Sequence, residues 1–181
     1  AAKIYERMQS KNEMALVYNE IAWVYISQEL FEVAEEFVLK AIELSDQINN
    51  NITTGIAYNA YGYFLESLEK YEEAYEAYRN AYMSVLEIGD KKATSAYRYN
   101  MAHNKSKIDP HDESVLEMYL EAYNLDKEIG NELGIVISEN TLGEYFMNEN
   151  MFAEAIKYLE LARNNLKTTQ YKSELIRNYK T

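Results

Sequence analysis

The sequence predicts an all-α fold, built as a solenoid of stacked helix pairs. Three observations carry that prediction. Apolar residues recur at helical spacing, as in Val33, Phe37 and Ile42 or Tyr71, Tyr75, Tyr78 and Tyr82. Proline occurs once and glycine six times in 181 residues, too few punctuators for a β domain with many turns. Small residues return at a fixed interval: Ala22, Gly62, Ala102 and Gly143 are spaced 40, 40 and 41. Self-similarity at such a period marks a repeat architecture.

The units follow in order. In the first, Ala34 and Ala41 stand 12 and 19 residues after Ala22. In the second, Ala74 and Ala81 keep the same offsets from Gly62. The third is degenerate: Ala122 follows Ala102 by 20, Val115 or Ser114 takes the middle small position, and one inserted residue near Asp109-Pro110 restores the register. In the fourth, Ala155 and Ala162 again follow Gly143 by 12 and 19. At a crossing of two helices, Gly or Ala lets the backbones approach closely.

Short polar turns divide each unit into two helices: Gln28-Glu29, Glu69-Lys70 and Asn148-Glu149-Asn150. Between units lie Asn49-Asn50-Asn51, Gly89-Asp90 and Gly130-Asn131, where Gly supplies a left-handed helix end. Asp109-Pro110 reads as an N-cap followed by proline in the first turn of a helix. The result is a single solenoid over 1–181, with units at about 13–50, 53–90, 93–131 and 134–169. Residues 1–12 read as the tail of a preceding helix, and 171–181 (Tyr171, Leu175, Ile176, Tyr179) as the start of a following one. Ends of that kind predict a fragment of a larger protein.

Composition excludes several classes of function. There is no Cys, which removes disulfides, thiolate zinc sites and cysteine nucleophiles, and is compatible with a cytoplasmic location. His103 and His111 are the only histidines. Thirty Asp and Glu against eighteen Lys and Arg give a formal net charge of −12, a surface that repels nucleic acid and anionic membranes. Phosphate-binding glycine loops, Gly-x-Ser-x-Gly and His-Glu-x-x-His are all missing, so neither an enzyme nor a cofactor site is expected. Asp109, His111 and Asp112 read as a helix start rather than a metal site. Glu35-Glu36 and Glu72-Glu73 read as solvated helix faces.

The pattern resembles the tetratricopeptide repeat family. Ile21-Ala22, Tyr25, Phe31, Ala34 and Ala41 carry the resemblance in the first unit. Tyr58, Tyr61-Gly62, Tyr71, Ala74, Tyr78 and Ala81 carry it in the second, and Leu142-Gly143, Phe146, Phe152, Ala155 and Ala162 in the fourth. The family's period is about 34 residues and its helix-ending proline is missing here. The longer period is similar to that of kinesin light chains and bacterial peptide-sensing regulators. The resemblance implies a right-handed superhelix whose first helices line a concave groove. It implies a peptide or protein partner and a sensory or docking role beside an output domain in a larger bacterial signalling protein.

On those first helices, Asn19, Asn59, Tyr99 and Asn140 stand three residues before each small crossing residue. Four residues further on, the same face carries Trp23, Tyr63, His103 and Glu144. An Asn side chain offers a donor and an acceptor, the pair a peptide unit needs. The resemblance implies that such asparagines hold an extended peptide by its main chain. The other reading is that they bond neighbouring side chains and stabilise stacking. Trp23, Tyr63 and Tyr99 read either as side-chain pockets or as packing between repeats. Little positive charge lies near this face (Lys107 and Arg98 flank it), and Glu66 and Glu144 stand on it, which favours a neutral or basic ligand. The competing function is a scaffold that forms homodimers with no small ligand.

Tyrosine, with eighteen copies, divides along the same lines. Tyr18, Tyr25, Tyr58, Tyr61, Tyr71, Tyr78 and Tyr119 fall at recurring packing positions, with their hydroxyls expected to reach water at the rim.

Overall fold

The structure, a computed structural model, describes residues 2–168, with side chains over 10–167. Among these residues there are eight α-helices and no strand. They form four successive pairs: α1 (Ala2–Ser27) with α2 (Phe31–Ile48), α3 (Asn51–Ser67) with α4 (Tyr71–Leu86), α5 (Lys91–Ile108) with α6 (Glu113–Ile129), and α7 (Glu132–Asn148) with α8 (Phe152–Thr168). Each helix packs on its chain neighbours, the pattern of an all-α repeat solenoid.

One device ends the first helix in three of the pairs. Leu30 N–H bonds to Tyr25 C=O and Glu29 N–H to Ile26 C=O, with Glu29 left-handed at φ 59°. Lys70 and Glu69 repeat it on Leu65 and Glu66, and Met151 and Asn150 on Phe146 and Met147. These are Schellman ends, which satisfy carbonyls the helix leaves open. Gly130 makes the same turn between the third and fourth pairs at φ 67°. Side-chain caps fix the starts of α3, α5 and α6, whereas α2, α4 and α7 have none. Asn50 accepts from the N–H groups of Ile52 and Thr53, and Asp90 accepts from Ala93 N–H.

The connection inside the third pair differs. It runs over four residues, 109–112, where the equivalent connections have three. Asp109-Pro110 does not start α6, contrary to the sequence reading. Asp109 instead closes a turn by accepting from His111 N–H at 3.0 Å, and Asp112 is the cap, accepting from Ser114 N–H at 2.9 Å. A cap needs its carboxylate over the next free N–H groups, and Asp112 is the residue adjacent to α6. A second difference lies at the start. Helix α1 runs unbroken from Ala2 to Ser27, so no separate helix ends near residue 12. No Gly or Pro stands there to interrupt it. Residues 171–181 lie outside the described region.

The repeated small residues sit at the crossings. Ala22, Ala34, Ala41, Ala74, Ala81, Ala102 and Ala122 are all fully buried. A Cβ on Gly62 would lie 2.8 Å from the Tyr78 ring, and one on Gly143 would lie 2.6 Å from Leu159. The two glycines therefore face large side chains directly. Val115 takes the middle small position of the third pair and is buried completely. The hydroxyls of the packing tyrosines do not all reach water, as the sequence reading expected. Tyr78 is 1% exposed and its hydroxyl donates to Glu66 at 2.9 Å.

Candidate functional site

The odd-numbered helices carry the site. Tyr99, near the middle of α5, borders three cavities. The first, about 370 Å³, lies between α1, α3 and α5. Trp23, Tyr63, Tyr99 and His103 wall it, and Asn59, Glu66 and Asn100 supply its polar groups. Tyr78 reaches it from α4. The second, about 410 Å³, lies between α5 and α7, with Ser106 and Lys107 on one side and Thr141 and Glu144 on the other. Pro110 and His111 of the four-residue connection border it. The third, about 400 Å³, lies toward the starts of α5 and α7, lined by Ala96, Asn100, Gly134 and Ile137.

Local helix geometry explains why these side chains converge. Residues at i, i+4 and i+7 share a face, so Asn59, Tyr63 and Glu66 line one side of the first cavity, and Tyr99 and His103 line the other. Trp23 and Tyr63 meet across the α1–α3 seam with ring centroids 4.5 Å apart. Tyr99 and His103 lie parallel within 8°, at 6.5 Å.

A polar network bridges the helices. Asn100 donates to Asn59 at 3.1 Å, across from α5 to α3. That contact uses one donor of Asn100 and the oxygen of Asn59. The Asn59 amide N–H₂ and the Asn100 side-chain oxygen have no partner among the described residues. Tyr99 and Thr141 join α5 to α7 through a 2.9 Å hydroxyl pair. Glu66 accepts on one oxygen from both Tyr78 and Asn104, each at 2.9 Å. Its other oxygen stands 3.6 Å from His103 Nε2, too long for a hydrogen bond. Burial lowers the His103 pKa, against the opposing pull of Glu66, and so favours the neutral ring. Burial likewise raises the phenol pKa of Tyr99, Tyr119 and Tyr78. These hydroxyls stay protonated and can donate.

The sequence-predicted residues separate. Trp23, Asn59, Tyr63, Tyr99 and His103 share the first cavity, and Glu144 lines the second. Asn19 is 1% exposed, and neither atom of its amide has a partner among the described residues. Helix α1 packs directly on α3, so this row position is enclosed in their seam. Asn140 lines none of these cavities and donates to Glu144, one turn along its own helix, at 2.8 Å. The three asparagines therefore do not form one continuous ladder. Arg98 turns away, pairing with Glu121 and lying over the Tyr82 ring. Lys107 does border the second cavity.

Sequence reasoning missed Asn100, Asn104 and Thr141. Asn100 and Thr141 stand one residue past the predicted row, where the second unit has Ala60, and polar residues there were the available signal. Asn104 is fully buried beneath Glu66, and no pattern in the sequence marks it.

Among the described residues, no group of three or more His, Asp or Glu side chains is arranged to hold a metal ion. None of the described helices is long and apolar enough to cross a membrane. A comparison with curated proteins finds no match for the chain. Two stretches of it, residues 15–48 and 56–84, match the family model described as tetratricopeptide repeat, a helix pair whose arrays mediate protein–protein interaction.

Proposed function

We propose that the chain is a peptide-binding module that captures an extended, neutral or basic segment along the odd-numbered helices. The observation that carries this is the Asn59–Asn100 pair, set between two cavities that both border Tyr99. The free amide N–H₂ of Asn59 and the free oxygen of Asn100 offer the donor and acceptor that one peptide unit requires. The first of these cavities is walled by the aromatic rings of Trp23, Tyr63 and Tyr99, the kind of side chain that dominates binding energetics at protein surfaces. Glu66 and Glu144 disfavour an acidic segment. On the resemblance to peptide-sensing regulators, capture serves a sensory or docking role for an output domain in a longer bacterial chain.

The test is a paired substitution, Asn59→Ala with Asn100→Ala, measured against a peptide isolated from a displayed random library. Affinity should fall by about 1–3 kcal/mol for each buried hydrogen-bonding group lost. Unchanged affinity, with an unchanged circular dichroism spectrum, refutes the reading. A self-association scaffold rests on a different observation: Phe152 and Ile156 are each 59% exposed on α8. Sedimentation over a concentration range separates the two, since a dimer that takes up no library peptide supports the scaffold.

A further inference from the structure

We infer that the cavity between α1, α3 and α5 is a seat for one arginine side chain of the captured peptide, with Glu66 as its counter-ion. The inference rests on the groove reading above and names the chemistry of one subsite within it.

Glu66 is a half-buried carboxylate without a cationic partner. No Lys or Arg among the described residues pairs with it, and its near neighbour His103 is held toward the neutral form by burial. One carboxylate oxygen is fixed by two neutral donors that are themselves inaccessible, Tyr78 at 1% and Asn104 at 0% exposure. The other makes no hydrogen bond, and Glu66 lines the cavity. A carboxylate held on one edge and open on the other presents a ready acceptor to an incoming cation. The walls act in the same sense, because the faces of Trp23, Tyr63 and Tyr99 carry the negative side of an aromatic quadrupole. A guanidinium suits this site better than an ammonium. It is planar, can lie on a ring while its edge meets a carboxylate, and is more weakly hydrated.

A purely structural role for Glu66 would be to tie α4 to α5 through Tyr78 and Asn104. Glu66→Gln separates the two roles, since the amide oxygen still accepts from both donors while the charge is gone.

The experiment uses positional-scanning decapeptide pools, each with one position fixed as arginine, citrulline, lysine or glutamate, titrated into the wild type and Glu66→Gln. Citrulline keeps the shape of arginine without its charge. For the wild type, at least one arginine pool should bind roughly tenfold tighter than its citrulline counterpart. In Glu66→Gln that ratio should collapse toward one, with the melting temperature unchanged. Equal binding of arginine and citrulline pools by the wild type overturns the inference, as does an arginine preference that survives Glu66→Gln. If the pools bind without arginine preference and Asn59→Ala with Asn100→Ala abolishes binding, the arginine seat alone fails. If no pool binds, or the asparagine pair has no effect, the groove reading fails as well.

Discussion

Gly62 and Tyr78 form a tight contact between repeated positions, and their coupling can be measured. A Cβ on Gly62 would stand 2.8, 2.8 and 2.9 Å from three carbons of the Tyr78 ring. Carbon atoms settle at about 3.5–4.0 Å, so the ring would have to retreat by close to an ångström. It has little room, being 1% exposed and tied through its hydroxyl to Glu66. Overpacking of this kind costs about 1–3 kcal/mol. Replacing Gly by Ala within a helix returns about 1 kcal/mol of propensity, which blurs the single mutant. The double-mutant cycle removes that ambiguity. The first unit supplies the relaxed version of the pair, Ala22 and Val38, forty residues earlier and both fully buried. Gly62→Ala should destabilise the protein when Tyr78 is present and stabilise it when Tyr78→Val has already opened the space. The expected coupling is about 2 kcal/mol, read from urea midpoints at constant m value. A coupling below about 0.5 kcal/mol would mean that Gly62 is not kept small by Tyr78.

Three further outcomes are expected. Glu69 adopts φ 58° at a Schellman end, so Glu69→Gly should stabilise by about 0.5–1 kcal/mol in urea titration, whereas Glu72→Gly in the first turn of α4 should not. Asp112 has its pKa lowered to about 2, first by the Lys105 ammonium and then by the hydroxyl and N–H of Ser114. Its contribution is therefore complete above the unfolded value of 3.8 and lost as pH falls toward about 2. Asp112→Asn should flatten the acid limb of the stability curve in that window. His103 has its pKa lowered from 6.5, chiefly by burial, with Glu66 and Glu144 opposing and Lys107 assisting. The unfolded chain then binds the extra proton first, so stability is full above 6.5 and declines as pH drops below it. His103→Gln should remove that decline from melting temperatures recorded between neutral and mildly acid buffer.

The fold was legible because its determinants are local and repeated. Buried alanines at offsets of 12 and 19 report helix crossings, and Gly130 reports a left-handed helix end. Both are properties of single positions that periodicity exposes. The glutamates in left-handed turns, Glu29 and Glu69, were legible only as polar breaks, since nothing in a Glu announces a positive φ. The candidate site was half legible. One row of each odd helix could be marked by its spacing from the small residue. What that row meets depends on how far neighbouring odd helices stand apart, and this distance is set by packing remote in sequence. Asn19 and Asn59 therefore hold the same register position with opposite fates, one sealed in the α1–α3 seam and the other open to a cavity. The Glu66–Tyr78–Asn104 cluster draws on three helices, and no single helix face contains it.

The extra residue of the third pair is taken up where α5 ends and the connection 109–112 begins, past the side chains of α5 that line the cavities. One more residue earlier in α5 would have turned every later side chain by about 100°, carrying Tyr99 or His103 out of the cavities they share. Placed at that end, it leaves the angular phase of these side chains untouched. That position is thus a natural entry point for engineered chain. A short graft or a fluorophore beside Pro110 and His111 would stand at the edge of the second cavity, and its emission would report occupancy of the groove while the eight helices keep their faces.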